Sequence, residues 1–280
     1  MAYSELPTPP RPSDAGPSPS GAPKPRSLRA LVFTYLPFAL SALWAAIIVR
    51  LLIKDVRYAI PMLVLAALWV LPLYVMHRRQ RALLLRGNAP DVLEAWTPML
   101  ERTPNPETMQ PLLMATAYAA NGWTDAAREA LGRAHRGPAW AQAREQRLMV
   151  DVLLEAFDGD RAHALRLADD LAALPMPQTG IFLRRRVLSL RHGVGALVRA
   201  FNRCPEADDR ERLLAARKAS PLFFWAFTYA AAILAVDAND AAATRELLAG
   251  APQWSPSSVF ANFQRELATE IERIEAIRGA

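Results

Sequence analysis

The sequence predicts an all-α protein: a two-helix transmembrane hairpin followed by an α-solenoid of helical hairpins. Two uncharged apolar runs, Ala30 to Val49 and Tyr58 to Met76, lie side by side near the start. Beyond them, from Ala82 to Ala280, turn signals interrupt helical periodicity again and again, and no run of alternating β-branched residues marks a strand. Within that second part, small and large apolar residues recur at similar offsets from one segment to the next.

Residues 1–28 carry prolines at 7, 9, 10, 12, 17, 19, 23 and 25 among Ser, Gly and Ala. Such a composition buries too little apolar area to offset backbone ordering, so a disordered tail is expected. It reads as a solvated spacer; Pro7 to Pro12 could alternatively serve as a polyproline ligand. A cleavable signal peptide fits poorly, because its apolar core would come earlier and be shorter.

The apolar runs of 20 and 19 residues each reach about 30 Å as helices, the thickness of a bilayer core. Residues 29–77 are therefore expected to form the hairpin, with spans of about 30–53 and 58–76. Pro37, Pro61 and Pro72 are compatible with it, since neighbouring groups in a membrane can take up a freed carbonyl. Arg50 to Arg57 is too short for a domain, so both flanks fall on one side. Lys24, Arg26 and Arg29 precede the first span, and Arg78, Arg79, Arg81 and Arg86 follow the second, against Arg50, Lys54 and Arg57 in the turn. That bias predicts both termini in the cytoplasm. Heavy use of Arg and Ala, with only three Lys, suggests a bacterial inner membrane.

The formal charge of +6 is unevenly placed. Through Arg81 there are ten Lys and Arg against three acids; from Ala82 onward there are 23 against 24. A near-neutral second part excludes the broad basic surface of a nucleic-acid binder, whereas the flanking cluster suits anionic lipid headgroups. One local exception, Arg184, Arg185, Arg186 and Arg191, reads as a solvated helix face, with headgroups or an acidic partner as the alternative.

Residues 82–280 suffice for one sizeable core. Breaks are expected at Thr103 to Asn105, Asn121 to Thr124, Gly137 to Pro138, Asp158 to Asp160, Pro175 to Gly180, His192 to Gly195, Cys204 to Asp208, Ser220 to Pro221, Asp237 to Asp240 and Gly250 to Ser255. In Leu112 to Pro138, small residues at Ala115, Ala127 and Ala134 let two helices cross closely, and Tyr118 and Leu131 fill the angle between them. Gly122 permits the turn and Pro138 ends the second helix. With this pattern the segment resembles a tetratricopeptide repeat. A second unit, Val152 to Pro175, has Gly159 37 residues after Gly122 and Ala164 in the place of Ala127, with Glu155 where the aromatic belongs. Gly193 follows Gly159 by 34 residues, with Val198 replacing the small residue. A fourth unit aligns Ala231, Leu234, Ala243 and Leu247, with Ala238 in place of the turn glycine. The irregular period also leaves armadillo-like or HEAT-like stacking open.

The resemblance implies a protein-interaction scaffold whose first helices line a partner groove: Met109, Leu112, Thr116 and Ala119, then Met149, Leu153 and Ala156. The Lys, Arg and Asn of a carboxylate clamp are missing, so an amphipathic helix is the expected occupant. The same side chains could instead simply pack against neighbouring repeats. In residues 256–278, after Ser255 as cap and Pro256 as first helical residue, Val259, Phe260, Phe263, Leu267, Ile271, Ile274 and Ile277 draw one apolar stripe. It is expected to cap the solenoid, or else to make a homo-oligomer.

No catalytic constellation is legible. His77, His135, His163 and His192 are scattered without a second ligand at metal spacing. Asp158 and Asp160 read as turn and cap residues, and Asp169 and Asp170 point about 100° apart on a helix. The lone Cys204 suits a reducing compartment, and no phosphate loop or nucleophile elbow occurs. The expectation is no enzyme, no cofactor and no metal, but a membrane-anchored adaptor recruiting a protein partner. The alternative is a subunit of a transport, secretion or envelope complex in which the hairpin oligomerises and the repeats regulate it.

Overall fold

The structure, a computed structural model, describes Arg50, residues 59–177 and residues 180–279. The tail 1–28, with Lys24 and Arg26, lies outside the described residues, as do Arg29, the first apolar run and most of the turn after it. Every regular element among the described residues is helical, as the periodicity and turn signals predict. The chain divides into two compact units, Met1–Pro72 and Leu73–Ala280.

In the first unit the described backbone is chiefly the opening of helix α1, Ala59–Leu85, where Val64, Leu68, Val70 and Leu71 are exposed. Among the described residues no helix is long and apolar enough to cross a membrane. The expected transmembrane hairpin is thus not found there; its first span and many side chains of its second lie outside those residues.

In the second unit α1 ends with exposed Tyr74, Val75 and Met76, then exposed Arg78, Arg79 and Arg81. There follow α2 (Ala89–Leu100), α3 (Pro106–Ala120), α4 (Thr124–Gly132), short α5 (Pro138–Gln142), α6 (Arg144–Asp158) and α7 (Arg161–Ala173). The chain continues through α8 (Ile181–Phe201), α9 (Asp209–Ala219), a 3-10 turn (Pro221–Phe223), α10 (Phe224–Asp237), α11 (Ala241–Leu248) and α12 (Val259–Gly279). Four hairpins, α3/α4, α6/α7, α8/α9 and α10/α11, stack so that each first helix packs on the next: α3 on α6, α6 on α8, α8 on α10.

Three of the four hairpins turn through one device. A residue in the left-handed region follows the first helix, and two amides reach back to carbonyls that the helix end leaves unpaired. Gly122 (φ 74°), Arg203 (φ 57°) and Asn239 (φ 56°) hold that place. Gly122 N–H donates to Ala119 C=O and Trp123 N–H to Tyr118 C=O, both at 3.0 Å; Arg203 and Cys204 repeat this onto Ala200 and Arg199, and Asn239 and Asp240 onto Val236 and Ala235. In the second hairpin Gly159 is extended instead, and the Asp160 amide is taken by the Glu155 carboxylate at 2.8 Å. The glutamate in the aromatic position therefore does cap chemistry. Asp160 accepts from Ala162 and His163 at 2.8 and 3.1 Å, and Asp240 from Ala243 at 3.0 Å, each capping the second helix of its pair.

Several boundaries differ from expectation. No break occurs at His192 to Gly195: α8 runs straight through, and the third turn falls after Phe201. Gly193 is a close-approach residue, since a Cβ there would stand 2.2 Å from Ala216 Cβ and 3.3 Å from the Phe227 ring. The turn position of the fourth pair is Asn239, one residue past Ala238. Pro138 does not end α4, which stops at Gly132; it opens α5, where a missing amide costs nothing. Ala115, Ala127, Ala134 and Ala164 are buried as close-packing requires, while Tyr118 and Leu131 are half-buried, Tyr118 stacking on Trp123.

The final helix is more than a lid on the last pair. It starts at Val259, three residues later than expected, because Ser258 caps it by accepting from Phe260 N–H at 3.2 Å. The Ser258 hydroxyl also donates to Asn121 C=O at 2.7 Å, and Val259 N–H to Gly122 C=O at 2.9 Å, both at the turn of the first hairpin. Phe260 meets Phe157, Tyr229 and Trp254, and Phe263 meets Phe201, so α12 touches all four hairpins. Its stripe is largely consumed internally: Phe260, Leu267, Ile271 and Ile274 are buried, and of the seven stripe residues Ile277 is the well-exposed one. At the centre stands α10, buried nearly all round, as its uninterrupted apolar sequence dictates. Trp225 Nε1 on this helix donates to Leu85 C=O at 2.8 Å and ties the end of α1 to the last pair.

Candidate functional site

An open trough of about 510 Å³ runs across the first helices of the first three hairpins. Met109 of α3, Met149 of α6, and Val187 and Leu190 of α8 supply apolar lining, and Gln142, Glu145 and Gln146 supply polar lining. The walls are fixed from behind. Gln146 Nε2 donates to Thr116 Oγ1 at 3.2 Å, and that hydroxyl donates to Leu112 C=O at 2.7 Å. Glu145 accepts from Arg191 Nε at 2.9 Å.

Arg191 departs from the reading that grouped it with Arg184 to Arg186. Its side chain is 3% exposed. Besides Glu145 it binds Leu174 C=O at 2.6 Å and Pro175 C=O at 3.3 Å, strapping the α7 to α8 connection onto the trough wall. Arg184, Arg185 and Arg186 are exposed, as expected.

Of the seven expected groove residues, only Met109 and Met149 line the trough. Leu112, Ala119, Leu153 and Ala156 are fully buried and Thr116 nearly so, because the first helices spend that face on packing against one another. Val187 and Leu190 were missed because a break was expected just beyond them. Apolar spacing continuing from Val187 through Leu190, Val194 and Leu197 to Phe201 was the available signal of one long helix.

A second cleft of about 410 Å³ lies alongside the first half of α12, lined by Arg161, Arg203, Glu266 and Glu270 together with Phe201 and Phe263. Arg203 pairs with Asp237. Mixed charges and a half-open shape favour no ligand chemistry there.

Ionisable groups with displaced pKa serve the packing. Burial pushes the Asp209 carboxyl up, but hydrogen bonds from Arg199 (2.8 and 2.5 Å) and from Glu206 N–H (2.9 Å), with the positive charges of Arg199 and Arg212, more than offset it, and its pKa lies below the usual value. Burial raises the half-buried Asp151 carboxyl against the pull of Arg147. Burial likewise pushes the Tyr229 hydroxyl, which accepts from Trp254 Nε1 at 2.6 Å, up to about 12. Among the described residues no cluster of three or more His, Cys, Asp or Glu could hold a metal ion. His135 and His192 are exposed, His163 sits 3.3 Å from an Arg166 nitrogen, Cys204 is exposed and free, and the side chain of His77 lies outside the described residues.

Comparisons with family models, curated proteins and solved structures return no match for this chain.

Proposed function

We propose that this chain is a membrane-anchored helical-repeat adaptor. The two apolar runs hold it in a bilayer as a hairpin with both termini cytoplasmic. The four stacked hairpins, read as divergent tetratricopeptide-like repeats, offer the trough to the apolar face of an amphipathic helix on a protein partner. The trough carries the reading: four apolar side chains from three successive first helices, two of them pliant methionines, rimmed by amides that can bond a helix's polar edge. The anchor is supported by the uncharged runs and by the exposed side chains of Val64, Leu68, Val70, Leu71, Val75 and Met76, followed by exposed Arg78, Arg79 and Arg81.

Photocrosslinking in native membranes tests it, with reactive groups at Met109 and Val187 in the trough and at Trp44 and Trp69 in the apolar runs. The expected result is a discrete protein adduct at Met109 and Val187 that Leu190→Asp abolishes. Adducts confined to Trp44 and Trp69 would overturn the adaptor and make the hairpin the working part of a transport or secretion assembly.

A further inference from the structure

Ile181, Phe182 and Leu183 open α8 and are 70%, 89% and 49% exposed, against the burial that three consecutive large apolar residues normally find. Successive helical residues point about 100° apart, so these three side chains present a surface that sweeps about 200° around the axis, wider than a single contact face. A groove on another protein, or the face of another helix, would cover one side of it and leave the rest in water. Arg184, Arg185 and Arg186 follow at once, also spread around the axis, exposed, and in no ion pair among the described residues. An apolar tip roughly 5 Å deep behind which stands a basic collar matches one environment, the boundary between acyl chains and phosphates.

We propose that residues 181–186 form a wedge that inserts into a bilayer containing anionic lipids, giving the helical stack a membrane contact of its own. The apolar tip enters the acyl region while the three guanidiniums bind headgroup phosphates, charge-assisted and bidentate. Val187 and Leu190, a turn further on, stay in the trough, so a docked wedge fixes how the partner site faces the membrane. This rests on the membrane reading above, and the experiment separates the two.

The full-length chain with Cys204→Ala and Gly180→Cys takes an environment-sensitive fluorophore beside the intact tip, at a position where an added Cβ meets nothing within 4 Å. It is reconstituted into phosphatidylcholine vesicles with or without phosphatidylglycerol. The expected result is a blue shift with quenching by doxyl-labelled lipid and shielding from iodide, dependent on phosphatidylglycerol and reversed by Phe182→Glu or by changing Arg184, Arg185 and Arg186 to Gln. A control label at Asp170→Cys stays open to iodide. A tip that iodide reaches freely in both vesicles overturns the proposal, as does one shielded from iodide without doxyl quenching, which would mean a protein covers it. Resistance to alkaline carbonate reads the anchor on its own: an extracted chain whose tip is doxyl-quenched keeps the wedge and loses the anchor, and a retained chain with an iodide-accessible tip does the reverse.

Discussion

At the scale of single residues, Asp209 ties α9 to α8, fully buried and held by Nε and one terminal nitrogen of Arg199. Asp209→Ala leaves the guanidinium, 20% exposed, with only the more exposed Glu206 carboxylate at 3.6 Å as counter-charge, and should cost about 3 kcal/mol by denaturant titration. Because the folded pKa of Asp209 lies below the ordinary carboxyl value of 3.8, its contribution is complete above that pH and is lost as pH falls through the folded value. Wild type and Asp209→Ala should therefore converge in stability on acidification below about 4. Tyr229 has the opposite sign. Its pKa is raised from 10.0 to about 12, so the neutral phenol stabilises the fold below pH 10 and that contribution is lost as pH climbs to 12. Tyr229→Phe should melt earlier than wild type at neutral pH, where it orphans Trp254 Nε1, and should lose roughly 2–3 kcal/mol less between pH 9 and 12. Neither residue stands out in the sequence, since the burial of Asp209 depends on how α8 and α9 pack, and the partner of Tyr229, Trp254, lies on a separate segment.

At the scale of elements, what the sequence announces is the turn and what it hides is the glycine inside a helix. Asn121 to Thr124, Asp158 to Asp160 and Asp237 to Asp240 are legible because cap and turn residues act on neighbours a few positions away. Gly193 and Gly195 look like a fourth such signal, yet both lie inside α8, and whether a glycine ends a helix or admits a neighbour depends on the packed partner. The two glycines should answer oppositely to the same change. Gly195→Ala meets only ordinary contact, 3.5 Å from Arg199, and should stabilise by about 0.5–1 kcal/mol through helix propensity. Gly193→Ala gains the same propensity but drives a methyl into Ala216 and should be net destabilising by about 1–2 kcal/mol. Thermal melts of the two variants measure this, and equal shifts would mean that α8 and α9 do not meet at Gly193.

At the scale of the whole helical unit, Leu73–Ala280, the hairpins were foreseeable from local periodicity, but their mutual closure was not. The apolar stripe of α12 is plain in the sequence, whereas its destination is set by which helix ends leave a gap, and these come from four separate segments. A lid on the last pair and a plug shared by all four predict different spread of damage. Phe260→Ala should cost about 3–5 kcal/mol, since the ring is fully buried between Phe157, Tyr229 and Trp254. Removing residues 259–280 takes away Phe260, Leu267, Ile271 and Ile274 together, roughly 6–12 kcal/mol of burial, comparable to the entire stability of an ordinary domain. The truncated chain should therefore lose its cooperative melt. Hydrogen exchange in Phe260→Ala locates the loss: a plug predicts faster exchange around Asn121 and Gly122 in the first hairpin as well as in α10 and α11, because Ser258 and Val259 bridge to that turn. Protection lost only in α10 and α11, with the first hairpin unchanged, would reduce α12 to a terminal cap and leave the first three pairs to hold one another by their own contacts.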